Sequence, residues 1–285
     1  MTRPVALVPD DRSSSRREVL VVRGGAATRR PDRIAGEEPM AIRVAGPGQA
    51  PVDVAVTMRT PGHDAELAIG FLVSEGLLTA SDVAGAAVEP GHPGEVGTPE
   101  NELTVRIGRR FDPAAVPARA FVAAASCGIC GKASLDDVAV RCDVLPPGPR
   151  VGAAVIAALP DRLRAGQAVF DQTGGLHASG LFDAAGRLLA VREDVGRHNA
   201  LDKLIGAAAV AGELPLHERL LAVSGRVSFE IVQKAAVAGI PLVAAVSAPT
   251  DLAVEAAERL GMTLVGFVRG GGFNVYAGEG RIDLG

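Results

Sequence analysis

The chain has 285 residues and a formal net charge of −4 at pH 7, and 48% of its residues are hydrophobic although only 3% are aromatic. This size is enough to bury a substantial core in one or two domains, and the mild acidity argues against broad electrostatic binding of nucleic acid. No apolar run approaches the roughly 18 residues of a membrane span, and no secretory signal pattern is visible. Three cysteines are too few for a disulfide scaffold, so we expect a cytoplasmic protein.

The first part of the chain is predicted to be rich in β-structure. Residues 1–17 have the Arg-, Ser- and Pro-rich composition of a disordered leader. From 18 to 115 we expect an N-terminal β-rich portion, built as an open antiparallel sheet, with one amphipathic helix at 65–77. Alternating or β-branched runs predict its strands at 19–22, 40–44, 52–58, 81–88 and 102–107, with a hairpin turn at 46–48.

The remainder, 116–285, is predicted to be an α/β core. Two short helices are expected in 151–165, divided near Pro160, and a hairpin joins strands at 176–182 and 187–192. Helices and apolar strands then alternate, which favours a mixed or parallel sheet covered by helices on both faces. The predicted helices are 196–210, 227–238 and 248–260, and the predicted strands are 220–224, 241–246 and 263–268.

The stretch Ser-Cys-Gly-Ile-Cys-Gly-Lys at 126–132 contains two of the three cysteines. Two thiols at this spacing can share a metal, form a disulfide or hold one activated sulfur. If a helix follows, its unpaired N–H groups and Lys132 favour a thiolate on Cys127. A structural zinc would require four ligands, and only Cys142 remains, but a catalytic zinc could use Cys127, Cys130 and one histidine.

Polar turns follow several predicted strands, at 192–199, 224–228 and 247–250. Ligands of α/β sheets bind at the carboxyl ends of strands, where backbone N–H groups and arginines can hold phosphate. Phosphate or nucleotide binding and simple helix capping by Ser228 or Thr250 both remain open. A neutral hydrogen-bonding role or a proton-carrying role is open for His198. The glycines at 270–272 permit close approach to a ligand or form a hairpin turn.

Seven blocks of the sequence carry a resemblance to one family, the formate dehydrogenase accessory sulfurtransferases (the FdhD family). They span nearly all of the chain beyond the first 35 residues, in order. The blocks are EEPMAIRV at 37–44, TMRTPGHDAELAIGFLVSEG at 57–76, SCGICGKASL at 126–135, TGGLHASGLFD at 173–183, REDVGRHNALDKLIG at 192–206, SGRVSFEIVQKAAVAGIPLVAAVSAP at 224–249 and LVGFVRGGGFNVYAGEGRI at 264–282.

The resemblance implies a sulfur carrier with a cytidine-deaminase-like core, commonly a homodimer. Such a protein takes persulfide sulfur from a cysteine desulfurase and passes it to the molybdenum or tungsten bis-pterin guanine dinucleotide cofactor, which then enters formate dehydrogenase. The cofactor is cargo, and no permanent metal is expected. Cys127 maps to the persulfide-bearing residue and Cys130 to its companion. The residues expected at the cofactor are Phe267, Val268, Arg269, Gly270, Gly271, Gly272, Arg226, Ser228, Arg197 and His198.

Two alternatives to the sulfur carrier and one proton-transfer role within it concern this site. The implied fold also suggests a zinc-dependent nucleobase or nucleoside deaminase, although no His-x-Glu precedes the cysteine pair. A chaperone that binds molybdopterin without sulfur chemistry is the non-enzymatic alternative. In the sulfur carrier, Asp194 or His198 could move protons near the pterin.

Overall fold

The computed structural model describes residues 11–91, 101–116 and 143–285. The cysteine pair predicted to be catalytic, Cys127 and Cys130, lies outside the described residues, as do Cys142 and Lys132. None of the helices in the described ranges is both long and apolar enough to cross a membrane.

A long two-stranded hairpin precedes the rest of the fold. Strands β1 (Ser14–Arg23) and β2 (Ala26–Ala35) pair antiparallel over their full length, and most of their residues are exposed. The strand pattern at 19–22 is confirmed, but β1 begins at Ser14, so residues 14–17 are ordered strand where we expected a disordered leader. Cross-strand pairing with 32–35 supplies the order that local composition does not predict.

A four-stranded sheet follows, in the order β4-β3-β6-β5. The predicted hairpin is confirmed, because β3 (Glu38–Ala45) and β4 (Val52–Arg59) pair antiparallel. The sheet is nevertheless mixed and not antiparallel throughout, since β6 (Glu102–Arg106) runs parallel to β3 and antiparallel to β5 (Ala87–Pro90). Which strand lies beside which is a long-range choice that the alternating pattern cannot specify.

Two helices belong to this portion. Helix α1 (Asp64–Ser74) is the predicted amphipathic helix. Helix α2 (Ala80–Val83) occupies the first part of the segment that we expected to be strand. Thr79 and Asp82 form a capping box that satisfies two backbone N–H groups and starts this helix.

The second sheet has six strands in the order β13-β12-β11-β10-β8-β9. Its three central strands run parallel, and each outer strand pairs antiparallel with its neighbour. The mixed sheet and the hairpin of β8 and β9 are therefore as predicted. The strands are β8 (His177–Phe182), β9 (Leu188–Asp194), β10 (Leu220–Val223), β11 (Leu242–Ala245), β12 (Thr263–Arg269) and β13 (Gly272–Ala277).

Helices cover both faces of this sheet. Side chains alternate along β10, so that Leu221 packs in the core with α1 and three later helices, while Leu220 packs in a second core with α3 (Ala153–Arg164). Helix α3 is continuous through Pro160, where we expected a break between two helices. Its buried face, at Ile156, Leu159 and Leu163, packs against the sheet on both sides of the proline.

The remaining elements complete the core. The short helix α4 was not predicted. A small parallel pair, β7 (Val151–Gly152) and β14 (Ile282–Asp283), lies outside the two main sheets. The helices are α4 (Ala168–Thr173), α5 (Arg197–Val210), α6 (Phe229–Val237) and α7 (Asp251–Arg259).

The N-terminal β-rich portion and the C-terminal sheet share one hydrophobic core, with α1 packed directly on α5. Buried polar contacts join these helices to each other and to α6: Ser74 of α1 donates to Asp202 of α5 over 2.7 Å, and Lys234 of α6 pairs with Asp202 over 2.9 Å. The position of α5, and with it the start of α5 at residue 197, is therefore fixed by both portions of the chain.

Candidate functional site

A cleft of about 650 Å³ lies at the carboxyl ends of the parallel strands. Ser224 follows β10, Val246 follows β11, and Arg269 ends β12, and all three line the cleft. The opposite wall comes from the end of α3 and from α4. This is the place where α/β sheets bind ligands, as the strand-end turns predicted.

The turn between β12 and β13 contributes the predicted residues Val268, Arg269 and Gly270 to the cleft wall. It is also a two-residue hairpin turn, because Arg269 pairs with Gly272 and the two glycines between them have positive φ angles of 59° and 79°. The hairpin turn is therefore confirmed, while the ligand contact that we gave as its alternative stays a prediction for the part of this turn that lines the cleft. Gly271 and Gly272 do not line the cleft, and each has open space at the position of a Cβ atom.

Phe267 has a left-handed backbone with φ of 52°, which costs a non-glycine residue free energy and is found mainly where the surroundings enforce it. Its N–H donates to the carbonyl of Ser247 over 3.1 Å, and the guanidinium of Arg269 lies 5.4 Å from its ring centre. The strained residue therefore immediately precedes the three residues that line the cleft. Its backbone conformation sets the direction in which residues 268–270 continue into the cleft wall.

His177 connects the cleft to the helix starts behind it. It lines the cleft, and a Cβ atom on Gly225 would lie 3.2 Å from its Nδ1 and 4.0 Å from Cδ of Arg197. Burial, then the charges of Arg197 and His198, lower the pKa of His177, and Asp194 opposes them. The imidazole is therefore held neutral at physiological pH.

His198 and Ser228 meet directly. Nε2 of His198 lies 3.1 Å from the Ser228 hydroxyl and 2.9 Å from a carboxylate oxygen of Glu230. Ser228 precedes α6 but makes no capping hydrogen bond with its side chain, whereas Thr250 does cap α7 by accepting from the N–H of Ala253. The capping interpretation therefore holds for Thr250 and fails for Ser228.

The two remaining predicted arginines differ in their surroundings. Nε of Arg197 is buried without a hydrogen-bond partner in the described part of the chain. Arg226 is exposed and does not line the cleft, although it follows β10 by only three residues. The direction of its side chain separates it from the site that its sequence position suggested.

Asp194 is fully buried and pairs with Lys203 over 2.7 Å. It also accepts from the backbone N–H groups of Thr60 and Gly196. These contacts make it a structural anchor between the two portions of the chain, and the suggested proton transfer near the pterin stays a prediction.

Helix α4 brings in residues that we did not predict, above all Gln167 and Phe170, which line the cleft. Glu193 at the end of β9 accepts from the N–H groups of Val169 and Phe170 over 2.9 and 2.8 Å. Burial raises the pKa of Glu193, and these hydrogen bonds oppose the rise. The only sequence signal for this helix is its end, where Gly174 takes a left-handed conformation as a C-terminal cap.

Within residues 11–91, 101–116 and 143–285, no three His, Cys, Asp or Glu side chains are grouped as ligands for a metal ion. Since Cys127 and Cys130 lie elsewhere, the expectation that the protein holds no permanent metal stays a prediction.

The fold defines the class of protein: a mixed α/β protein with a cleft at the carboxyl ends of its central parallel strands. The chain belongs to the FdhD/NarQ family, whose model matches residues 35–283. A sulfur carrier protein FdhD from Streptomyces avermitilis is 49% identical, covering 96% of this chain and 97% of the relative. A sulfur carrier protein FdhD from Nocardia farcinica is 48% identical, covering 95% of each chain.

A solved structure has the same fold. It is described as a formate dehydrogenase accessory protein from Desulfotalea psychrophila, and it superposes with a TM-score of 0.72 at 24% identity, covering 95% of this chain and all of that one. The α/β class is thereby confirmed, while the cytidine-deaminase-like description of the core stays a prediction. The names of the relatives favour a sulfur carrier over the zinc deaminase alternative.

Proposed function

We propose that this protein accepts persulfide sulfur from a cysteine desulfurase on Cys127 and transfers it to the molybdenum or tungsten bis-pterin guanine dinucleotide cofactor, for use by a formate dehydrogenase. The observation that carries the proposal is the cleft at the strand ends, whose wall includes the 268–270 turn expected at the cofactor. Membership of a family whose members are named sulfur carriers supports the chemistry.

The cleft suits one nucleotide arm of such a cargo. Its volume of about 650 Å³ is within the usual range for small-molecule sites. Two arginines lie on its walls: Arg269 at the β12–β13 turn, and Arg164, whose guanidinium lies 4.7 Å from the ring centre of Phe170. Arginine with nearby backbone N–H groups is a common combination for phosphate.

The sulfur chemistry follows the rules of thiol–disulfide exchange. The Cys127 thiolate attacks the terminal sulfur of the donor persulfide, the S–S bond of the donor breaks, and the donor thiolate leaves, so that Cys127 carries the persulfide. On delivery the S–S bond of the Cys127 persulfide breaks, the terminal sulfur passes to the cargo as sulfide, and Cys127 returns to a thiolate. The two electrons that this reduction needs would come from the reduced cargo. Cys130 lies three positions after Cys127. Substituting each cysteine on its own separates the role of Cys130 from that of Cys127.

The first test concerns Cys127. After incubation with a cysteine desulfurase and cysteine, mass spectrometry of the wild-type protein is expected to find one extra, reductant-labile sulfur on Cys127. Cys127→Ala should lose the adduct and fail to support formate dehydrogenase activity in cells, while Cys130→Ala serves as the matched substitution in the same motif. An unmodified Cys127 together with retained cofactor binding would favour the chaperone alternative.

The second test concerns the cargo site. Arg269→Ala is expected to weaken GDP binding about tenfold, because a charged hydrogen bond to phosphate contributes about 1.5–3 kcal/mol. Arg226→Ala is the control, since that arginine is exposed and does not line the cleft. Isothermal titration calorimetry measures both, and equal affinities in the two variants would place the nucleotide elsewhere. The homodimer stays a prediction that sedimentation can check.

A further inference from the structure

Gln167 lines the cleft but has no structural task in the described chain. Only 4% of the residue is exposed, and its side chain makes no hydrogen bond with any described residue. It precedes α4 at the capping position, yet no side-chain capping hydrogen bond is formed. The amide nitrogen and oxygen are not among the enclosed polar atoms that lack a partner, so they reach the open space of the cleft and can meet a ligand there.

Glu193 explains why the amide is not used for capping. Its two carboxylate oxygens accept from the N–H groups of Val169 and Phe170, the first donors of α4. The Glu193 carboxylate, which comes from β9, thus caps the start of α4 in place of the side chain of the preceding residue. The Gln167 amide keeps one donor and one acceptor available at the cleft.

The surroundings indicate what kind of group would bind there. Leu163 on α3 and Phe170 on α4 form an apolar part of the wall near Gln167. Arg164 lies beside them against the Phe170 ring, whereas Arg269 lies on the strand side of the cleft. An amide carries no charge, so it suits a neutral planar heterocycle with a donor next to an acceptor better than it suits a phosphate. The apolar residues of the wall are Leu163, Phe170, Leu176, Val246 and Val268.

We propose that the Gln167 amide recognises a ring edge in which a carbonyl lies beside an N–H, the edge that guanine and pterin share. Nε2 donates to the carbonyl, and Oε1 accepts from the N–H. This inference rests on the proposed cargo, which contains both rings, and adds to it the residue that selects the heterocycle. Gln167 is thereby a specificity-determining residue, and Arg269 serves the phosphates.

The test compares three probes on the full chain: GDP, neopterin and inorganic pyrophosphate. Gln167→Met keeps the length of the side chain and removes both hydrogen-bonding groups. It is expected to weaken binding of GDP, neopterin or both by about tenfold to a hundredfold, and to leave pyrophosphate binding unchanged. Loss for only one of the two ring probes identifies which ring occupies the site.

Gln172→Met is the matched control, because Gln172 lies on the same helix but is exposed, where it accepts from Arg33. Thermal unfolding of both variants separates binding from folding. Gln167→Met should unfold at about the wild-type temperature, since the Gln167 side chain makes no hydrogen bond in the described chain that the substitution would break.

Three results would overturn the inference: unchanged affinity for both ring probes, an equal loss for pyrophosphate, or a lowered unfolding temperature that accounts for the loss. If GDP affinity falls in Arg269→Ala while Gln167→Met leaves the affinity for both GDP and neopterin unchanged, the cargo site stands and the role of Gln167 fails. A wild-type protein that binds neither GDP nor neopterin overturns both.

Discussion

Helices α1 and α5 touch backbone to backbone at two facing glycines, and this contact makes a sharp prediction. A Cβ atom on Gly70 would lie 1.8 Å from the carbonyl oxygen of Asp202, and one on Gly206 would lie 1.8 Å from the carbonyl oxygen of Glu66. Gly70→Ala is therefore expected to destabilise the protein, although alanine is the better helix former.

The magnitude follows from two opposing effects. An ordinary contact needs at least 3.4 Å, so the methyl group must push Asp202 and its helix away from 1.8 Å. Overpacking of this kind costs about 3 kcal/mol when backbone must move, and the gain in helix propensity returns about 1 kcal/mol. We expect a net loss of about 2 kcal/mol, or an unfolding temperature lower by about 4–8 °C.

Urea and thermal unfolding followed by circular dichroism measure this loss. Gly85→Ala is the control, because Gly85 is exposed and no atom lies within 4 Å of the position that its Cβ would take. If Gly70→Ala is as stable as the wild type, the two helices do not approach as closely as described, and the attachment of the N-terminal portion to α5 must be reconsidered.

Two further predictions concern buried charge. Burial pushes the pKa of Glu66 up, but hydrogen bonds from Arg192 and His63 outweigh it and lower the pKa from 4.5 to about 2. Since the folded pKa is below the unfolded value, the ionised Glu66 stabilises the fold above pH 4.5. With an allowance for solvent screening, about 2–3 kcal/mol of that stabilisation is lost as pH falls to 2. The free energy of unfolding of Glu66→Gln should therefore depend less on pH between 4.5 and 2 than that of the wild type. Lys234→Met leaves the buried Asp202 carboxylate without its partner and is expected to cost about 3–5 kcal/mol in urea unfolding, whereas adding Asp202→Asn should recover part of the loss; no recovery would contradict the pairing.

The elements that could be predicted from the sequence are those with a strong local period. The alternation at 52–58 and 102–107 and the helical pattern at 65–77 and 196–210 correspond to β4, β6, α1 and α5. The errors arise where distant residues decide. The parallel pairing of β3 with β6 depends on the route of the intervening chain, and α3 continues through Pro160 because its apolar face packs on the sheet on both sides of the proline.

The position of the cleft could be predicted from the sequence, but the set of side chains that line it could be predicted only in part. Strand ends meet at one sheet edge, so Ser224, Val268 and Arg269 come together as the topology requires. No comparable rule predicts the direction in which a side chain in a turn points. Arg226 projects into solvent, and Asp194, whose surroundings in the sequence are equally polar, is drawn inward by Lys203.

Gln167 illustrates a limit of local reasoning about helix starts. From the sequence alone, glutamine before a short helix carries no capping signal, because the residues that usually cap a helix start are Ser, Thr, Asp, Asn and Gly. Here the cap comes from Glu193, 24 residues away from Val169 along the chain, and only the pairing of β8 with β9 brings it there. Because one carboxylate satisfies two N–H groups at once, the amide beside them stays unsatisfied and faces the cleft. Gln167 is therefore a residue whose ligand contact only the folded structure could suggest, and the Gln167→Met comparison tests it.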